Sequence, residues 1–165
     1  MKFSEILLQA RDIIILPLMV TMIIPGFIYS YTPDIIPGFI SIKILALAVF
    51  FAGIFLLGWT IYLFQIVAGG TLAPWSAKQK LIVTGPYRYC RNPMICGVLF
   101  ILIGEGLWLR SVPLLTWAAI FFMINTLFFI FREEPFLENK FGEEYKAYRR
   151  KVPRWIPKIN SRPGV

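Results

Sequence analysis

Most side chains here that could do chemistry fall in two short polar stretches. The first runs Thr84-Gly85-Pro86-Tyr87-Arg88-Tyr89-Cys90-Arg91-Asn92-Pro93-Met94, and the second is Arg132-Glu133-Glu134-Pro135. Arg91 offers a planar fork suited to a carboxylate, Tyr87 a ring and a hydroxyl, and Gly85 close backbone approach or positive φ. Of Glu133 and Glu134, one could accept hydrogen bonds from an ammonium group or a ribose while the other pairs with Arg91 or Arg132. Blander accounts stand beside these. Asn92 followed by Pro93 is a helix start, Arg91 could snorkel to headgroup phosphates, and the two carboxylates could serve the dipole of a helix opening at Pro135.

Other chemistries are removed by what the chain lacks. There is no histidine, so Ser–His and Cys–His nucleophile systems are excluded. The two cysteines, Cys90 and Cys96, are too few for zinc and read as small apolar filler; no metal site is expected. A cytoplasmic Cys90 would stay reduced, which argues against a disulfide.

The elements that position these stretches are apolar. The chain of 165 residues is 58% hydrophobic and 16% aromatic, outside the range of a soluble domain of this size. Its mean hydropathy is +0.69. The expected fold is an all-α polytopic membrane protein with about four transmembrane helices, from Ile13 to Tyr31, Ile44 to Val67, Met94 to Leu109 and Val112 to Phe131. Arg110 and Ser111 alone separate the third run from the fourth, which predicts a tight helical hairpin. Glu105, ~12 residues or ~18 Å along the third run from Pro93, is expected to face a partner such as Arg110 or to reach outer water. No cleavable signal peptide is expected, because the first run carries Pro17 and Pro25.

Cations fall before the first run (Lys2, Arg11), between the second and third (Lys78, Lys80, Arg88, Arg91) and after the fourth (Arg132, then Lys140 to Arg162). The positive-inside rule then puts both termini and the middle loop in the cytoplasm. The net charge of +8 reflects that topology and an attraction to anionic phospholipid headgroups, not nucleic acid, for which no motif is present. Breakers at Pro33, Pro37 and Gly38 predict an outer turn, and Gly69 to Lys80 a polar connection with Trp75 at headgroup depth. Beyond the fourth run, Pro135 to Lys151 reads as one amphipathic interfacial helix. Leu137, Phe141, Tyr145 and Tyr148 form its apolar face, with Lys140, Glu144, Lys146 and Arg150 elsewhere on the wheel. It could be an anchor or also a lid over a site built by the middle loop.

In this order, Leu81 to Gly97, Glu133-Glu134-Pro135-Phe136-Leu137, Phe141 to Tyr148 and Val152-Pro153-Arg154-Trp155-Ile156-Pro157 resemble the isoprenylcysteine carboxyl methyltransferase family, itself similar to the phospholipid N-methyltransferases. The resemblance covers about half of the chain. It implies an integral membrane enzyme that moves a methyl group from S-adenosylmethionine to a membrane lipid or lipidated small-molecule acceptor, leaving S-adenosylhomocysteine. It also implies one membrane domain over residues 1–165, with two transmembrane helices in 1–70, a catalytic region in 71–157 and a tail in 158–165. Candidate catalytic residues are Arg91 and Glu134. Candidate cofactor-binding residues are Val83, Gly85, Tyr87, Arg91, Asn92, Pro93, Met94, Glu133, Glu134, Tyr145 and Tyr148. The family's Arg-His-Pro-x-Tyr pattern is departed from twice, with Asn92 for the His and Ile95 for the Tyr; asparagine can hydrogen-bond a cofactor but cannot shuttle a proton near neutral pH.

Methyl transfer asks chiefly for alignment, and no activated nucleophile is required. A carboxylate acceptor is already ionised, whereas a protonated amine needs a base, for which Glu134 or a water on it is the candidate. Two rivals stand: a membrane sterol-type reductase binding NADPH in the same pocket, and a small non-enzymatic membrane protein. The expected location is multi-pass in a prokaryotic inner membrane, with the active site cytoplasmic and no obligate protein partner.

Overall fold

A computed structural model describes residues 17–31, 40–63, 66 and 81–157, and helices make up nearly all of it, with no strand among the described residues. A π-helical turn at Met19–Ile23 leads into α1 (Ile24–Tyr31), followed by α2 (Ile40–Leu63). After a 3-10 turn at Gly85–Arg88 come α3 (Pro93–Trp108), α4 (Val112–Phe128), a π-helical turn at Phe129–Glu133, α5 (Glu134–Phe141) and α6 (Glu143–Lys151). The expected turn at Pro33 to Gly38, the connection with Trp75 and the cations at Lys2, Arg11, Lys78 and Lys80 lie outside the described residues, as does the chain beyond Pro157.

Two helices are long and apolar enough to cross a membrane, Ile40–Leu63 and the continuous Val112–Phe141; Met19–Tyr31 and Pro93–Trp108 are shorter apolar helices. Large apolar side chains such as Ile44, Phe51, Phe55, Met123 and Phe131 stand exposed along the two long helices. Exposed apolar surface on this scale is what a hydrocarbon surrounding would cover.

On α2 the buried residues are Ala46, Gly53 and Thr60, one small side chain every seventh position. That seam packs on α3 with the chains antiparallel. A Cβ on Gly53 would lie 2.7 Å from Ile101 N and 2.8 Å from Gly97 O, and one on Gly104 2.9 Å from the Phe50 Cα. Lys43 stands over the Trp108 ring, 5.6 Å from its centroid. Between lipid-facing helices this backbone contact replaces the hydrophobic drive that water would supply. Val98 and Leu102 of α3 join Ala118 and Phe121 of α4 in the buried core, and the Trp117 indole donates to Val20 O at 3.2 Å, tying the π turn that precedes α1 to α4.

Leu109 to Ser111 connect α3 to α4. Ser111 N–H reaches Gly106 O at 3.0 Å and Arg110 N–H reaches Leu107 O at 3.3 Å, with Arg110 at φ 53°. This is a Schellman closure, which satisfies carbonyls that the helix end would leave open. The turn uses the Arg110 backbone, and of the two alternatives for Glu105 the pairing with Arg110 is not formed: Glu105 Oε2 is buried with no hydrogen-bond partner.

The expected single helix from Pro135 to Lys151 is corrected. Pro135 does not begin a helix; it sits inside the one that began at Val112. Proline has no N–H for the Phe131 carbonyl, and the helix accommodates it with the wider π turn just before, where Glu134 N–H bonds Phe129 O. The break comes at Gly142, whose φ of 55° only glycine adopts easily, and α6 starts there. The inward face is nonetheless shared by both pieces, since Leu137 and Tyr145 are buried while Lys140, Glu144, Lys146 and Arg150 are exposed.

Candidate functional site

The middle loop is extended at Thr84 and then tightens into the Gly85–Arg88 turn, where Tyr87 N–H bonds Thr84 O at 3.2 Å. Gly85 has φ +59°, and a Cβ there would meet Leu63 Cδ1 at 2.6 Å, so the turn closes against the end of α2 only with glycine. Pro93 is the first residue of α3, as expected, but the Asn92 side chain caps nothing. Beyond α6 a strap, Val152 to Pro157, folds back across this helix start. Arg91 N–H bonds Pro153 O at 2.9 Å, and the Trp155 ring lies 5.0 Å from Phe122 and 5.8 Å from Phe129.

These elements converge on Glu134, whose side chain is 6% exposed. Arg91 Nη1 donates to Oε1 at 2.8 Å. Arg154, from the strap, donates to both oxygens, Nε to Oε1 at 2.7 Å and Nη2 to Oε2 at 3.0 Å. Arg149 Nε stands 3.9 Å from Oε2 while its Nη1 donates to Glu138 Oε2 at 3.1 Å. Hydrogen bonding to Glu134 holds the Arg154 guanidinium above its ordinary pKa. Because Glu134 lies inside a helix and among guanidinium groups, the helix-dipole account of this residue falls away.

Arg91 Nη1 also donates to the Tyr145 hydroxyl at 3.4 Å, and the Tyr145 and Tyr148 rings lie 6.3 Å apart. Tyr148 donates its hydroxyl proton to Tyr87 O at 2.7 Å, joining α6 to the middle loop. Burial pushes the Tyr87 and Tyr148 hydroxyls well above the ordinary tyrosine range, with the Glu133 charge adding to the shift at Tyr87. The folded state therefore holds these protons more tightly than the unfolded chain, which releases them at about pH 10. Their contribution is complete below that pH and is lost as pH rises further. We expect stability in chemical unfolding to fall above about pH 10, and Tyr148→Phe to cost about 1 kcal/mol at pH 7 and to flatten part of that alkaline fall.

Of the sequence candidates, Arg91, Glu134, Tyr145, Tyr148 and, through its carbonyl, Tyr87 form one connected group, with Gly85 shaping the loop and the Glu133 charge acting on the Tyr87 hydroxyl. Asn92 and Pro93 are buried at the start of α3, Met94 is half-buried in its first turn, and Val83 is exposed on the extended segment. The cysteines expected as filler touch one another, Sγ to Sγ 3.8 Å, both as free thiols. Arg154, Arg149 and Trp155 were not among the candidates. The Val152-Pro153-Arg154-Trp155-Ile156-Pro157 alternation of proline with large side chains was the signal, since it forbids helix and turns the chain back.

The family model for phospholipid methyltransferases matches residues 41–144, more than half of the chain, from α2 to the opening of α6. An uncharacterised protein of Haemophilus influenzae is 41% identical over 63 residues, 38% of this chain and 100% of that protein. The protein-S-isoprenylcysteine O-methyltransferase of Schizosaccharomyces pombe is 35% identical over 86 residues, which is 50% of this chain and 35% of that protein. The cobalt-zinc-cadmium resistance protein CzcN of Cupriavidus metallidurans is 32% identical over 84 residues, 50% of this chain and 38% of that protein. The chain thus spans little more than a third of the length of these two named relatives. Matched from the second helix through both polar stretches that hold Arg91 and Glu134, the chain belongs to the phospholipid methyltransferase family.

Proposed function

We propose that this protein transfers the methyl group of S-adenosylmethionine to a lipid-like acceptor, an isoprenylcysteine carboxylate or a phospholipid amine, at the cytoplasmic face of a prokaryotic inner membrane. The observation that carries the reading is the Arg91–Glu134 pair, 2.8 Å apart and buried where the long apolar helix gives way to polar chain. From Val112 to Phe131 that helix is ~30 Å long, the thickness of a bilayer's hydrocarbon, so Glu134 would emerge just at the headgroups. With the apolar runs that contain α1 and α3 also crossing, α3 and α4 form a hairpin, and the positive-inside rule sets both termini and this site in the cytoplasm. Exposed Lys146 and Arg150 would then face anionic headgroups.

The residues fit a zwitterionic adenosyl ligand. Arg91 Nε is buried without a partner and can donate to a carboxylate, while Tyr145, which accepts from Arg91, and Tyr148 supply aromatic rings beside it. When bound, S-adenosylmethionine supplies an electrophilic methyl group on a sulfonium, and an acceptor lone pair displaces the thioether. Arg91 holds the ligand, Gly85 lets the loop close on it, and the strap with α6 excludes water. Glu134 already accepts from two guanidinium groups, so its part is to fix Arg91 and Arg154. That favours an acceptor needing no deprotonation.

The test is the thermal stability of the purified protein with S-adenosylhomocysteine, S-adenosylmethionine and NADPH in parallel. A ligand at 100 times its Kd should add about 2.7 kcal/mol. Stabilisation by the two adenosyl compounds alone is expected; a response to NADPH alone, or to none of the three, would overturn the reading.

A further inference from the structure

Cys90 and Cys96 are the two cysteines of the chain, and the fold sets their sulfurs in contact, 3.8 Å apart, with both thiols free. The turn into α3 brings them together. Cys90 N–H bonds Pro86 O at 3.2 Å and Cys96 N–H bonds Asn92 O at 3.1 Å, so each backbone is held on its own side of the contact. Neither thiol has a part in the methyl-transfer reading.

The pair has the chemistry of a reactive dithiol. Cys90 lies in the middle loop and is 4% exposed. Hydrogen bonding from the Cys96 thiol outweighs that burial and, helped by the Asn92 N–H, holds the Cys90 thiol below its ordinary pKa. The thiolate is the form that attacks an electrophile. Cys96 is half-buried, so the pair is open on that side to a small solute.

The pair is also tied to the strap from both sides. Arg91 follows Cys90 directly; its N–H holds Pro153 O at 2.9 Å and its Nη1 holds Glu134 Oε1 at 2.8 Å. Cys96 Sγ lies 4.0 Å from Trp155 O, two residues further along the strap. A movement that draws the two sulfurs together therefore pulls on the attachment of the strap.

We propose that Cys90 and Cys96 are a reversible oxidation site for a hydroperoxide, closing to a disulfide that loosens the strap's hold on Arg91. With hydrogen peroxide, the Cys90 thiolate attacks one oxygen, the O–O bond breaks and Cys90 becomes a sulfenic acid. The other oxygen leaves as water with the proton that the thiol had given up. The Cys96 thiol then attacks the Cys90 sulfur, the S–O bond breaks, and a second water leaves with the Cys96 proton. In all, two thiols lose two electrons and one peroxide becomes two waters. A disulfide holds its sulfurs at about 2.05 Å, well inside the 3.8 Å of the dithiol, so closure must shift the backbone or side chains on either side. In the cytoplasmic setting proposed above the dithiol is the resting form, and a disulfide formed there is transient.

The full chain in lipid nanodiscs is treated with hydrogen peroxide, quenched, and read by intact mass, maleimide labelling and a non-reducing gel. The wild type should lose two hydrogens and both maleimide-reactive thiols, run as a single chain, and regain both thiols with dithiothreitol. Cys96→Ser should stop at a Cys90 sulfenic acid, which dimedone traps, and Cys90→Ser should react about tenfold more slowly. Oxygen added to the wild type without loss of two hydrogens, a disulfide between two chains, no reaction, or an equal rate in Cys90→Ser overturns the site.

Amide exchange at residues 152–157 reads the strap without any ligand. It should quicken when the disulfide forms and return with dithiothreitol; unchanged exchange overturns the link to the strap. Affinity for S-adenosylhomocysteine, the one readout that rests on the methyl-transfer reading, should fall about tenfold on oxidation of the wild type and stay unchanged in Cys90→Ser. If neither form of the wild type binds an adenosyl compound while the disulfide still forms and the strap still loosens, that reading fails and the oxidation site stands.

Discussion

Glu134→Gln is expected to lower stability by about 3–5 kcal/mol and to abolish binding of S-adenosylhomocysteine. The change keeps size and shape, so the effect isolates charge. In the parent, one buried carboxylate answers Arg91 at 2.8 Å and the two-pronged Arg154 at 2.7 and 3.0 Å. With a neutral amide, one oxygen remains to accept, and the amide nitrogen points its own hydrogens at a guanidinium. Arg91, nine-tenths buried, would then carry a charge with no counterion, which is the costly way to break such a pair. Unfolding in mixed micelles gives the first quantity and calorimetric titration the second. Arg154→Gln separates the roles, because it relieves the positive excess while leaving Arg91 paired. It should be milder in stability than Glu134→Gln, and the opposite order would mean that Glu134 is held mainly by the strap.

The sequence carried the apolar elements well because hydropathy and proline position are local signals. Pro93 opens α3, and the helices occupy the expected apolar runs where these are described. That one of Glu133 and Glu134 could pair with Arg91 or Arg132 was legible, because the two polar stretches carry opposite charges at the ends of apolar helices; that the pair is Arg91 with Glu134 is decided by the fold. Pro135 was misleading for a local reason. A proline that begins a helix and one absorbed by a preceding π turn have the same neighbours in sequence, and which occurs depends on what the continued helix packs against. The strap escaped because Arg154 has no periodic pattern to place it. Its position follows from the Pro153 carbonyl and from the Trp155 ring packed against Phe122 and Phe129, contacts set by tertiary structure.

The glycine seam makes the second large prediction. Gly53→Val is expected to destabilise the protein by about 3 kcal/mol, near the top of the usual range for overpacking, whereas Gly58→Val five positions along the same helix should stay within about 0.5 kcal/mol of the parent. The difference lies in what the new atoms meet. At Gly53 the Cβ alone would stand 2.7 Å from Ile101 N and 2.8 Å from Gly97 O, and at Gly58 it meets nothing within 4 Å. Backbone atoms of a continuous helix cannot step aside as a side-chain end can, so α2 and α3 must separate along their seam. Separation also removes the floor from the site, because α3 carries Arg91 and Asn92 at its start and α2 ends where Leu63 meets Gly85. Thermal unfolding in one detergent, measured beside adenosyl-ligand affinity, should show both quantities fall together for Gly53→Val and neither move for Gly58→Val. A loss of affinity with unchanged stability at Gly53 would mean that α2 bears on the site by some route other than this close packing.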